Sequence, residues 1–174
     1  MKNLISLLIL LVALISCDKK EEAKPIVVKQ EHITTDAIVG TDNDGVYDLS
    51  NIDDIKYKWN AYVNKKLKPQ DSIVLEQFEI IKTKTQDATA EDCYLLIGKA
   101  KKQKVTVGTI LSLKESKFYT DLKQNSGFKA YEVLICNGSC GENICNPSVV
   151  VAGGSKRLIC SSCDECAKIS GSID

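Results

Sequence analysis

Apolar and polar residues change rhythm several times along this chain, and each rhythm predicts an element. Ile52, Ile55, Trp59, Tyr62 and Val63 recur at intervals of three and four, with Lys66 continuing the spacing. Residues at that period share one face of a helix, so a helix is predicted over residues 51–67. Ser50 followed by Asp53 has capping-box spacing, with Asp in place of the usual Glu, and Pro69 stops the chain from continuing. The apolar stripe is expected to pack onto a sheet.

Beyond the helix the period shortens to two. Residues 73–83 are rich in branched and aromatic side chains, residues 93–100 are largely apolar, and Val105, Val107, Thr109, Leu111 and Leu113 alternate with Thr106, Gly108, Ile110 and Ser112. Lys101-Lys102-Gln103-Lys104 makes a polar turn between two of these runs. Further strands are predicted over residues 117–120 and 129–136, separated by Gln124-Asn125-Ser126-Gly127. An earlier hairpin is expected to join residues 33–39 with 46–49. Its turn contains Asp42-Asn43-Asp44-Gly45, which invites comparison with a calcium loop. Placing Gly45 at the glycine position of an EF-hand puts Gly40 and Asn51 where the first aspartate and the bidentate glutamate belong, so these are read as turn residues. The fold class expected is α+β: an antiparallel β-meander with one amphipathic helix packed on it, and a cysteine-rich C-terminal loop region over residues 136–166. One domain over residues 26–174 accounts for all of it.

The start of the chain has a different rhythm. Met1-Lys2-Asn3 leads into residues 4–15, which carry no charge, the basic start and apolar stretch of a secretory signal. As a helix that run spans roughly 18 Å, against ~30 Å for the hydrocarbon core of a bilayer, which makes it a poor permanent span. Leu14-Ile15-Ser16-Cys17 then resembles the lipobox of bacterial lipoproteins. The resemblance covers about the first tenth of the chain and implies a signal peptide over residues 1–16, cut ahead of Cys17 after its thiol has received a diacylglyceryl group, with the new amino terminus acylated as well. Each buried methylene contributes about 0.8 kcal/mol, so two or three acyl chains give an anchor that effectively does not come off. Residues 17–25, with Asp18-Lys19-Lys20-Glu21-Glu22 after the cysteine, read as a solvated tether. Such charged tethers are similar to sorting signals of surface lipoproteins in the Bacteroidota, whereas an aspartate next to the cysteine retains some other lipoproteins at the inner membrane. The outer membrane is the expected address.

Charge narrows the partners. The chain carries 23 basic and 23 acidic residues, interleaved, and the expected signal holds only Lys2 of them. A basic footprint for nucleic acid is missing, so none is expected as a partner.

Of the eight cysteines, Cys93 lies in a predicted strand and six close the chain: Cys136, Cys140, Cys145, Cys160, Cys163 and Cys166. Their spacing is C-x3-C-x4-C and then C-x2-C-x2-C. Outside the cytoplasm thiols are oxidised, and the segment between the clusters is rich in Gly, Asn, Ser and Pro, with only Val149-Val150-Val151 suggesting a strand. Disulfides among the six are therefore the first expectation, each contributing roughly 2–4 kcal/mol. Six cysteines allow 15 pairings, which spacing does not rank, and Cys93 is left as a buried free thiol or as a partner that displaces one of the six. Two alternatives stay open. Cys136, Cys140, Cys160, Cys163 and Cys166 could hold zinc or an iron–sulfur cluster, the C-x2-C-x2-C run being similar to that of bacterial ferredoxins without their C-x3-C-P. Cys160-Ser161-Ser162-Cys163 and Cys163-Asp164-Glu165-Cys166 are also C-x-x-C pairs of the redox type, away from the βαβ setting of a thioredoxin.

Other chemistry finds less support. The single histidine, His32, lies close to the tether, which removes Ser-His-Asp and Cys-His schemes unless His32 takes part. Gly153-Gly154-Ser155-Lys156 lacks phosphate-loop spacing. No catalytic residue and no cofactor is expected. What remains is a membrane-anchored envelope lipoprotein binding a protein, peptide or glycan, with the stapled segment as contact surface.

Overall fold

The structure, a computed structural model, describes residues 38–50, 52–125 and 128–173. The expected signal, Cys17, the tether, His32 and residues 33–37 of the first hairpin lie outside the described residues. So does the expected boundary near residue 26; residues Ile33–Asp174 group as one compact unit.

Period-two patterning becomes a nine-stranded antiparallel sheet. β1 (Ile38–Asn43) and β2 (Val46–Leu49) form the first hairpin. Asp44 and Gly45 turn it with both φ positive, 54° and 89°, the arrangement that an Asp-Gly pair adopts most readily and that matches strand twist. Of the four expected turn residues, Asp42 and Asn43 are strand residues there and only Asp44 and Gly45 turn, with the Asp42 carboxylate accepting from Gly45 N at 2.7 Å. β3 (Gln77–Lys84), β4 (Asp92–Ala100), β5 (Val105–Lys114) and β6 (Lys117–Thr120) then pair in succession as a meander. β7 (Leu122–Asn125) and β8 (Phe128–Asn137) make another hairpin, which includes Gln124 and Asn125 as strand residues instead of turn. β8 runs on to pair with β5, and β1 pairs with β6.

The one helix among the described residues, α1 (Ile52–Leu67), agrees with the expected one. Asp53 and Asp54 sit in its first turn and Lys65 and Lys66 in its last, the signs that complement the helix dipole. Ile55, Trp59 and Val63 are buried, Ile52 and Tyr62 partly so. They meet the sheet face made by Leu96, Val105, Val107, Val133 and Ile135. Trp59 has no exposed surface, and its Nε1 donates to Tyr131 Oη at 3.0 Å, satisfying the indole. The strand expected from residue 73 begins only at Gln77. Before it the backbone pairs with the helix: Asn64 Oδ1 accepts from Ile73 N and Asn60 Oδ1 from Leu75 N, each at 2.8 Å. Two helix side chains therefore take the hydrogen bonds a neighbouring strand would have supplied.

The cysteine-rich region expected over residues 136–166 is present, but where only Val149-Val150-Val151 suggests a strand in an otherwise loop-like segment, the structure has several. They are β9 (Ser139–Cys140), β10 (Asn143–Ile144), β11 (Pro147–Ala152) and β12 (Ser155–Cys160), and β13 (Ala167–Ile173) follows the region. β11 and β12 are a hairpin turned at Gly153-Gly154, and β13 returns to the edge of the main sheet beside β8. The hairpin lies on the sheet face opposite the helix, where Val149 and Leu158 pack against Leu95, Ile97 and Leu134. That covering layer is why both faces of β5 are buried along residues 105–109. Gly108 permits the close approach: a Cβ there would lie 2.7 Å from Pro147 Cβ.

Candidate functional site

Two places combine reactive or polar side chains with a shape that could use them, and both involve the stapled layer.

The first is the cysteine group. Three disulfides join the two clusters in order, first to first, second to second and third to third: Cys136–Cys160, Cys140–Cys163 and Cys145–Cys166, with Cα separations of 5.7, 5.8 and 5.8 Å. Cys136 is on β8 and Cys160 ends β12, so this bridge fastens the hairpin to the sheet. The other two tie the β9–β10 turn to the segment between β12 and β13. Cys163 sits in a tight turn in which Cys166 N donates to Cys163 O at 3.2 Å. Sγ of Cys140, Cys145, Cys163 and Cys166 all lie within 4.8 Å of one another. The expected metal set is therefore not the one brought together: Cys136 and Cys160 stand apart, and Cys145, left out of that set, belongs to the group. Spacing alone did not separate Cys145 from Cys136, since it is the fold-back of Cys166 that brings Cys145 to Cys140 and Cys163. Cys93 is free and buried, and burial pushes its thiol up from its ordinary range, which makes it a packing residue more than a nucleophile.

The second place is a groove of about 650 Å³ between the β11–β12 hairpin and the uncovered end of the same sheet face. Its floor is Cys93, Ile110 and Leu158. The groove opens where β5 changes partner, because β8 pairs with Val105 to Gly108 and β6 with Leu111 to Lys114. Across that fork Thr109 Oγ1 donates to Glu132 O at 2.6 Å. Charges of both signs line the rim. Asp92 is held low in pKa by the hydrogen bond and the charge of Lys82, whose Nζ is 2.8 Å away. Lys156 Nζ reaches Asp92 O at 3.1 Å and Glu91 at 3.5 Å, closing the hairpin's tip over the start of β4. Lys114 and Asp121 also line the groove. Alternation along β5 did not mark this site, because residues Thr109 to Lys114 of both phases line it where the strand changes partner.

No family model, curated protein or solved structure matches this chain. Fold and site therefore rest on its own residues. Among the described residues, no helix is long and apolar enough to cross a membrane.

The hairpin carries the groove's second wall. Its inner edge strand, β11, is clasped to the loop after β3: Gln86 N donates to Val149 O at 2.7 Å, and Asp87 Oδ2 accepts from Val151 N at 2.8 Å. β12 pairs only with β11, so its outer edge has no strand partner among the described residues.

Proposed function

We propose that this is a lipid-anchored envelope protein whose exported domain binds an extended peptide segment, without catalysing a reaction on it. The observation that carries the reading is the groove, bounded on one side by the outer edge of β12, which no strand pairs among the described residues and where Leu158 O accepts from Lys168 Nζ at 3.4 Å, and lined further by Cys93 and Ile110. A free strand edge offers main-chain donors and acceptors to an extended chain, and a floor of alternate pockets selects its side chains. A volume near 650 Å³ suits a few residues of peptide. Rim charges of both signs, Lys114 and Lys156 with Asp92 and Asp121, favour a segment of mixed charge. The stapled layer thus acts as a wall of the site, where the sequence alone had pointed to it as the contact surface. The address is supported by the lipobox-like Leu14-Ile15-Ser16-Cys17 and the charged residues after it. The closely placed disulfides suit an oxidising compartment.

A photo-reactive benzophenone residue in place of Ser112, in the groove, tests the binding site in cells, with the same residue in place of exposed Tyr57 on the helix as the control. Adducts at 112 should carry one recurring peptide. Its synthetic copy should bind the full chain in detergent, and Lys114→Glu should weaken that binding by about tenfold, roughly 1.4 kcal/mol. Adducts of sugar alone would replace the peptide by a glycan, and adducts no more frequent at 112 than at 57 would overturn the site. The anchor is tested by Cys17→Ser, which should release the protein from membranes or stall its processing; unchanged attachment would overturn the lipoprotein reading.

A further inference from the structure

The three disulfides are not equivalent. Cys136–Cys160 is a lone staple with Cys136 fully buried on β8. The other two lie side by side, with Cys166 Sγ 3.1 Å from Cys163 Sγ and 3.4 Å from Cys140 Sγ, neither of them its bonded partner. Four sulfurs gathered within 4.8 Å is far more than two separate staples require.

We propose that Cys140, Cys145, Cys163 and Cys166 form a redox-gated metal site: two disulfides when oxidised and, when reduced, four thiolate ligands for one thiophilic divalent cation of the zinc type. A tetrahedral site with metal–sulfur bonds of ~2.3 Å needs sulfurs about 3.8 Å apart. Every separation in the group is at or below 4.8 Å, so opening both bonds and turning side chains by about an ångström reaches that geometry. Two tight turns each supply two ligands. Cys140 and Cys145 flank the Gly141-Glu142 turn and β10, and Cys163 and Cys166 are joined by the 3.2 Å backbone bond between them. Paired ligands on two short turns, one spaced C-x2-C, are the usual make-up of a structural zinc site. Cys145 is buried while the other three are half-buried, so a reductant can reach the group from outside.

The electrons balance through an external dithiol. Each S–S bond that opens takes two electrons and two protons from one dithiol, which closes to its own disulfide, and two dithiols reduce the pair. The cation then displaces the thiol protons to solvent, leaving four thiolates around a divalent ion. In the oxidised chain the Cys136–Cys160 bridge and the apolar contacts of Val149 and Leu158 seat the hairpin; in the reduced chain the bound cation ties the two turns together.

Cobalt(II) is the probe. The full chain in detergent is reduced with a dithiol under nitrogen and titrated with cobalt. One equivalent should bind, with the near-ultraviolet sulfur-to-cobalt charge transfer and the visible bands of a tetrahedral thiolate site, and zinc should displace it. Cys145→Ser should weaken cobalt binding by more than about 100-fold, since even outer-shell changes cost 10–100-fold. The double variant Cys136→Ser, Cys160→Ser should still bind one equivalent. A reduced chain that keeps its β-sheet circular dichroism but takes up no stoichiometric cobalt would overturn the site, as would uptake that survives Cys145→Ser or fails in the double variant. If reduction unfolds the chain, zinc should restore the native spectrum with one ion bound; failure to restore it would equally overturn the site.

Discussion

On one face of the sheet the helix sets Trp59, Val63 and Ile55 against Leu96, Val107, Val133 and Ile135, and on the other the hairpin sets only Val149 and Leu158 against Leu95, Ile97 and Leu134 before three disulfides take over. The first face buries large side chains and holds by apolar area and close packing. The second has too few apolar residues to hold a two-stranded hairpin, which is at best marginal by itself. The Cys136–Cys160 bridge to the sheet, with the two disulfides that tie the β9–β10 turn to the segment after β12, makes up the difference. Because its attachment does not depend on filling the interface, the second face can keep an open groove. Packing closes a surface, whereas stapling can leave part of it available.

That contrast makes the helix side the more sensitive. Trp59→Ala removes a fully buried indole and the hydrogen bond to Tyr131, and should cost about 3–5 kcal/mol. Denaturant unfolding of the oxidised chain measures it. A cost near 1 kcal/mol would mean that the two faces do not differ in the way their packing suggests.

Removing the lone staple comes next. Cys136→Ala with Cys160→Ala should cost about 2–4 kcal/mol, and hydrogen exchange should show the loss at the amides of β11 and β12 while those of α1 stay protected. Equal loss of protection on both sides would join the two faces into one cooperative unit.

The two faces were also unequally legible before any coordinates. Trp59 and its neighbours on α1 declare themselves by helical spacing, and the meander by alternation from Val105 onward, because a core of large residues forces a period on the chain. Short strands stapled by cysteines are under no such constraint. Ser155-Lys156-Arg157 in β12 and Ala167-Lys168 in β13 are polar or small because the first lies at a groove rim and the second at a sheet edge, so their strands carried no hydrophobic signature. The cysteines announced disulfides but not their pairing, which depends on β9 to β13 folding back in register. Cys145 shows the same limit: only the return of Cys166 to its side reveals that it belongs with Cys140 and Cys163. The groove was hidden for another reason, since residues Thr109 to Lys114 of both phases line it where β5 changes partner.

Alkali should separate the faces by titration. Burial pushes the Tyr131 hydroxyl up to about 12, above the ordinary value near 10. A raised folded value means that its contribution is intact below pH about 10 and is lost as pH rises toward 12, because the unfolded tyrosine ionises first. Stability should fall by about 2–3 kcal/mol across that window. Tyr131→Phe should be less stable at neutral pH, having left the Trp59 Nε1 without its acceptor, yet should show a flatter alkaline slope. An unchanged slope would place the titrating group elsewhere.

A smaller effect probes the seat of the hairpin. Gly108→Ala puts a methyl 2.7 Å from the Pro147 ring, which cannot rotate away, and should cost about 1–3 kcal/mol by lifting β11. Cross-linking yield in the groove should change with it, since the hairpin is one wall. The same substitution at Gly45, which has nothing within 4 Å but a φ of 89°, should cost stability without altering the groove.

The gentlest test concerns the clasp between β11 and the loop after β3. Asp87 accepts from the Thr89 hydroxyl, from Val151 N at 2.8 Å and from Thr89 N at 3.0 Å, and these bonds, the Thr89 hydroxyl foremost, hold its carboxyl well below the usual carboxylate range. A depressed folded value means that the clasp contributes above the ordinary aspartate pKa of ~3.9 and gives way only as pH falls through the lower folded one. The Asp87 carboxyl carbon should therefore keep its ionised chemical shift down to pH 3, with the Val151 amide still protected. Asp87→Ala should expose the Val151 amide and leave the three disulfides in place. If Asp87 instead titrates at the ordinary aspartate value of ~3.9, the clasp is open in solution and β11 is held at this edge by Gln86, whose N donates to Val149 O and whose Nε2 donates to Ser148 Oγ at 3.0 Å. The stapled face would then depend still more on its cysteines than the packed face does on Trp59.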